Sequence, residues 1–259
     1  MPIWTALSAT VRGATHERNG LVNQDAVRLK NPATDADALF LAVADGHGSA
    51  RSFRSARGSV LAAECALRVL PHFIRRLGPY APLSCVRHQA QTVWPRLLID
   101  AWRKAVRADI DATPFSFMDF APFPEPPPVI KPGVPLPINA TLAYGATLLT
   151  VAITRHYIIY SQLGDGDILA VHGAGRVTRP LPRRHEFYAN ETLSLCTARS
   201  AKEFQVRVEP IRAGAPALIM LSTDGYANCF GDDTGFYQVG VDLLSYLSRH
   251  GAGVVGDNL

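Results

Sequence analysis

Cysteine is scarce: Cys65, Cys85, Cys196 and Cys229 are the four in 259 residues, and no two stand as a Cys-x-x-Cys pair. That spacing excludes a zinc ribbon or a dithiol redox motif and gives no disulfide framework, so the thiols read as reduced and mostly buried in a cytoplasmic protein. Long apolar runs are missing too. None approaches the ~18 residues of a membrane span, and the N-terminus lacks a basic segment followed by an apolar core, so neither a membrane partner nor secretion is expected. Nor is there an excess of one charge sign: 26 Lys and Arg against 22 Asp and Glu leave a net +4. The balance gives no reason to expect nucleic acid as a partner. No internal repeat occurs, and 47% apolar content over this length predicts a sizeable core in one domain spanning residues 1–259.

What stands out instead is where the aspartates fall. Asp45 follows the apolar run 38–44, too short for a typical helix and therefore a strand buried on both faces. Asp224 follows a second such run, 217–221, and Gly225 behind it permits a sharp turn. Asp25 closes Asn23-Gln24-Asp25, and His47 stands two residues beyond Asp45. A single aspartate at a strand exit is usually a turn or cap residue. Three of them, with the nearby histidine, point instead to a site for a hard cation.

Periodicity places the rest. Strands are predicted at 3–12, 25–30, 38–44, 142–153, 156–163, 167–172, 204–211 and 217–223. Apolar positions Val60, Ala63, Leu67, Leu70, Ile74 and Leu77 predict an amphipathic helix over 55–77. A second helix is predicted over 84–110, with Pro95 as a kink or boundary, and a third near 238–249. Residues 113–137 carry nine prolines, which excludes regular helix and interior strand. This segment reads as an extended surface insertion, either a stiff spacer or a ligand for a proline-recognising domain, the spacer being the commoner case.

Five motifs then occur in order: Asn23-Gln24-Asp25, Val43-Ala44-Asp45-Gly46-His47-Gly48, Tyr144-Gly145-Ala146-Thr147-Leu148, Leu163-Gly164-Asp165-Gly166-Asp167 and Ser222-Thr223-Asp224-Gly225. Together they resemble the type 2C metal-dependent serine/threonine protein phosphatases, in a bacterial-type branch. The resemblance implies an α+β fold, a four-layer αββα sandwich of two antiparallel sheets flanked by helices. It implies hydrolysis of phosphoserine and phosphothreonine on a phosphorylated protein substrate through water activated by two Mn²⁺ or Mg²⁺ ions. Asp45 would bridge the ions, Gly46 would offer its carbonyl oxygen, Asp224 would bind one ion and Asp25 would hold coordinated waters. His47 would be the general acid for the departing alkoxide. Asp165, with Asp224, would hold a weak third ion; read locally, Gly164-Asp165-Gly166-Asp167 is equally a hairpin turn.

Several positions depart from the family pattern. Gln24 stands where many relatives have Glu. Gly20 stands where many have a phosphate-binding arginine, leaving His16 or Arg18 to reach the phosphate from the preceding turn. Asn228 replaces a carboxylate, which weakens any third ion. The stretch 180–203, with Arg183, Arg184 and His185, corresponds to a variable flap whose positive charge suits acidic protein surfaces or is simply solvated. No strand pattern surrounds Asp257-Asn258, so the final ligand and strand of the family are expected to be absent and the C-terminus incomplete. These departures keep a second reading open, a non-catalytic pseudophosphatase that binds phosphoproteins or regulates a partner; a phosphatase fold acting on a small phosphorylated molecule is a third.

Overall fold

The strands Leu148–Ile153, Tyr157–Leu163 and Asp167–Val171 are buried at every residue, as strands covered on both faces must be, and two sheets facing one another provide that cover. The computed structural model describes residues 4–31, 38–183, 193–211 and 215–251. Its strands are β1 (Ala26–Lys30), β2 (Leu39–Ala44), β3 (Leu148–Ile153), β4 (Tyr157–Leu163), β5 (Asp167–Val171), β6 (Val177–Thr178), β7 (Gln205–Pro210) and β8 (Leu218–Ser222). A five-stranded sheet has the order β1-β2-β3-β4-β7 and a three-stranded one β6-β5-β8, with every pairing antiparallel. The helices are α1 (Ala14–Arg18), α2 (Ser55–Leu77), α3 (Leu83–Thr92), α4 (Trp94–Ala112), α5 (Phe117–Phe120), α6 (Ile138–Leu142), α7 (Ser200–Glu203), α8 (Asp224–Ala227) and α9 (Asp233–His250).

Three cores separate four layers, as the αββα expectation requires. Phe40, Ala42 and Ala44 of β2 turn to the layer of α2, α3 and α4. Their neighbours Leu39, Leu41 and Val43 turn to the opposite sheet, where they meet Val151, Ile158, Tyr160 and Ile168. Beyond the small sheet, Leu169 and Met220 pack on Phe236 and Tyr237 of α9. Because side chains of successive strand residues point to opposite faces, one continuous apolar run serves two cores.

The small sheet is fixed to α9 by charge as well as packing. Asp167, 2% exposed, receives Arg179 Nε and Arg183 Nη2 at 2.7 Å each. Both arginines also reach Asp233 in the first turn of α9, and Arg179 donates to the Tyr237 hydroxyl.

Helix α2 covers the first sheet with its small and aliphatic face, Gly58, Leu61, Ala62, Cys65, Ala66, Leu70 and Phe73. Gly58 is dictated by proximity: a Cβ there would stand 1.9 Å from the Tyr144 carbonyl oxygen. The predicted long second helix is two, α3 and α4, parted at Val93, with Pro95 in the first turn of α4, where its missing N–H costs no intrahelical bond.

Other expectations fail for reasons of long-range contact. Residues 4–12 form no strand, and Leu7 and Val11 are exposed. Residues 138–142 are helical, so β3 starts only at Leu148. The Gly164-Asp165-Gly166 turn joins no hairpin, because β4 and β5 lie in different sheets; it is the corner where the chain crosses between them. The proline-rich segment is not extended throughout. It folds back on the start of α2, with α5 capped by a Ser116–Asp119 capping box and Phe115 and Phe120 packed edge-on against Phe53.

Two stability outcomes follow. Gly58→Ala gains about 1 kcal/mol of helix propensity but meets backbone that cannot yield, and overpacking of this kind costs about 1–3 kcal/mol or more, so its urea midpoint is expected to fall. The Tyr160 hydroxyl is fully buried between the sheets with no hydrogen-bond partner among the described residues, and burial raises its pKa. Tyr160→Phe removes that desolvation penalty, on the order of 1–3 kcal/mol, and is expected to raise the thermal midpoint; a lower midpoint would contradict the assignment.

Candidate metal centre

The edge of the sandwich where β2 ends gathers the carboxylates. Asp45 leaves β2 and is clamped through its backbone by one residue: its N–H donates to Thr147 Oγ1 at 3.1 Å, and its carbonyl accepts from the Thr147 N–H at 2.8 Å. Asp25, just before β1, donates its N–H to Asn23 Oδ1 at 3.0 Å and accepts from Thr223 Oγ1 at 3.2 Å. Asp224 opens α8 rather than a bare turn, and its carboxylate accepts from Asn228 Nδ2 at 3.2 Å. Asn228 thus orients Asp224.

The three carboxyl groups adjoin. Asp25 and Asp224 both act on Asp45, and burial, then the Asp25 charge, push its pKa up to about 9. Burial likewise raises Asp25, against the opposing hydrogen bond from Thr223. Like charges held together out of water resist ionisation.

Close backbone approach fixes the neighbouring residues. Gly46 donates to the Gln24 carbonyl at 3.1 Å, and a Cβ on it would stand 2.8 Å from the Ser55 carbonyl oxygen. His47 donates its N–H to the Gly145 carbonyl at 3.1 Å, and its ring lies over Gly145, where a Cβ would meet Cδ2 at 2.5 Å. Burial lowers the His47 pKa while the charge of Asp165 acts against it, so the corner between the sheets brings Asp165 into electrostatic reach of the imidazole. His16 comes in from α1: its Nε2 would lie 3.9 Å from a Cβ on Gly48, and its charge acts on Asp25. Arg18 ends α1 as an exposed residue. Gln24 is turned to Ser55, whose hydroxyl donates to its Oε1 at 3.2 Å.

The Tyr144–Thr147 motif acquires a physical meaning here. It is the backbone floor on which the Asp45–His47 turn rests, through Gly145, Ala146 and Thr147 in succession. The sequence marked the motif but gave it no task. Thr223 was likewise a motif letter whose contact with Asp25 spans 198 positions.

The Protein phosphatase 2C family profile matches residues 12–257. The chain belongs to the protein phosphatase 2C family. Curated proteins give no match in sequence. Among solved structures, it is similar to the catalytic domain of the serine/threonine protein phosphatase PstP in complex with two manganese ions (17% identity, 90% of this chain and 87% of that one, TM-score 0.47). It is also similar to the serine/threonine phosphatase Stp1 from Staphylococcus aureus (13%, 89% and 84%, 0.47) and to the S. agalactiae serine/threonine phosphatase (17%, 92% and 84%, 0.47).

As a member of this family, the chain can be tested against the family's divalent ions. The donor set is all oxygen, the hard set that Mg²⁺ and Mn²⁺ prefer, and mutual repulsion among these half-buried carboxylates is what a dication relieves. Among the described residues, no group of three or more His, Cys, Asp or Glu is already set to hold a metal ion. By chemistry the residues fit. Of the sequence-predicted residues, Asp25, Asp45, Gly46, His47, Asp224, Asp165 and His16 are brought together, whereas Asp257, Arg184 and His185 lie outside the described residues.

Because the folded-state pKa of Asp45 exceeds its unfolded value, its contribution is fully present below about pH 4 and is lost as pH rises through about 9. Chelator-treated protein is therefore expected to lose thermal stability over that window. Asp45→Asn is expected to flatten the profile and raise the neutral-pH midpoint; an unchanged slope in the variant would count against the cluster.

Proposed function

We propose that this protein hydrolyses phosphoserine and phosphothreonine on phosphorylated protein substrates. The observation that carries the reading is Asp45 held between Asp25 and Asp224, with His47 two residues beyond it on the same clamped turn. Asp45, Asp224 and the Gly46 carbonyl would hold two Mn²⁺ or Mg²⁺ ions, with Asp25 acting through coordinated waters and Asp165 with Asp224 holding a weaker third. When bound, such ions supply an activated water and neutralise phosphoryl oxygens.

The chain's own groups do the remaining work. His47, in its protonated form, gives its proton to the departing serine or threonine oxygen; burial lowers its pKa, and the Asp165 charge offsets only part of that. His16 contacts the phosphate in preference to Arg18, being half-buried beside Gly48 while Arg18 is exposed. Asn228 keeps Asp224 turned to the site.

The pseudophosphatase reading keeps one structural observation in its favour, that no three-ligand group is preset among the described residues. Phosphate release from a phosphothreonine peptide separates the two. Catalysis is expected to require Mn²⁺ or Mg²⁺, to vanish with chelator and in Asp45→Asn, and to fall by about 10²-fold or more in His47→Ala, with His16→Ala acting mainly on KM. Phosphopeptide binding without release by the folded chain would instead establish the binding module.

A further inference from the structure

Arg54, the residue before α2, makes more contacts than a surface arginine needs. Its side chain is 16% exposed. Nη1 donates to the Thr113 carbonyl at 2.6 Å and to the Tyr144 hydroxyl at 2.9 Å, and Nη2 donates to the Pro114 carbonyl at 3.2 Å. The guanidinium lies 3.6 Å from the Asp119 carboxylate and stacks 4.5 Å from the centroid of Phe115. Its backbone N–H donates to the Ala143 carbonyl at 2.8 Å. Tyr144 in turn donates to Asp109 at 2.8 Å, and the other Asp109 oxygen takes Arg57 Nε at 2.7 Å. One side chain therefore ties the proline-rich segment to the residues that open the Tyr144–Thr147 floor.

That floor carries the backbone contacts of the catalytic turn, since Gly145 accepts from His47 and Thr147 brackets Asp45. We propose that Arg54 is a positioning residue: through Ala143 and Tyr144 it sets the register of the 143–147 backbone under Asp45 and His47, and the proline-rich segment serves as its outer buttress. The planar fork is suited to the role, because it satisfies three acceptors and stacks on a ring at once, which an ammonium cannot do. The proposal rests on the phosphatase reading for its kinetic consequence, but not for its effect on the carboxylate site itself.

The test uses the full chain and the variants Arg54→Met, Arg54→Lys and Tyr144→Phe. It compares thermal midpoint, Mn²⁺ affinity by calorimetry, and kcat and KM on para-nitrophenyl phosphate per folded molecule. Misplacement of the turn is expected to lower kcat by roughly 10- to 100-fold in Arg54→Met with KM little changed, and to weaken Mn²⁺ binding. Arg54→Lys is expected to recover part of both, and Tyr144→Phe to fall between wild type and Arg54→Met. A lowered midpoint with wild-type kcat and Mn²⁺ affinity would reduce Arg54 to a structural clip and overturn the proposal. Should the Arg54 variants not fold, Tyr144→Phe, which removes one oxygen, decides the same question. If the wild type releases no phosphate, the phosphatase reading fails while the Mn²⁺ titration still decides this one: weaker binding by the variants upholds it, and equal or absent binding overturns it.

Discussion

Close approach of chain segments at glycine, with no room for a Cβ, is the constraint on which this molecule turns. The start of α2 approaches the Tyr144 carbonyl at Gly58, the turn after β2 approaches Ser55 and Gln24 at Gly46, and the imidazole of His47 occupies the space a side chain on Gly145 would fill. Each approach excludes even a methyl group. Three segments distant in sequence are thereby locked at van der Waals distance, and the hydrogen bonds of Thr147 and Gly145 follow from that closeness.

Against this rigid frame the carboxylates are in tension. Burial and mutual repulsion disfavour the ionised state of Asp45 and Asp25, and the surrounding sheets supply the stability that tolerates it. Perturbed titration in a cleft is a common mark of functional sites. Here it coincides with family membership and with hydrogen bonds from Thr223 and Asn228 that hold the acids in place.

Local signals were the readable ones. The 3.6-residue spacing over 55–77 and the short apolar run 38–44 predicted α2 and β2 closely, because each pattern is set by the face it buries. Pro95 marked the break between α3 and α4. The ordered motifs brought Asp25, Asp45, His47, Asp165 and Asp224 to attention before any fold was known. What local pattern could not carry was pairing at a distance. The apolar runs that mark β4 and β5 as strands do not say that they belong to different sheets. Residues 4–12 read as part of a strand yet have no partner in either sheet. Proline density reads as extended chain, and nothing near it announces that Arg54, 59 positions away from Thr113 and 90 from Tyr144, will draw the segment inward.

The clasp of Asp167, Arg179, Arg183 and Asp233 has a bearing on heat. Withdrawing charges from water is the main cost of such an arrangement, and charged groups are hydrated less favourably as temperature rises, so the cost shrinks on warming while apolar burial levels off. The two-residue strand β6 gives the small sheet little pairing of its own at that margin. Its attachment to α9 should therefore weaken less on heating than the aliphatic core between the sheets, leaving that central layer as the part whose loosening sets the upper temperature limit of the fold.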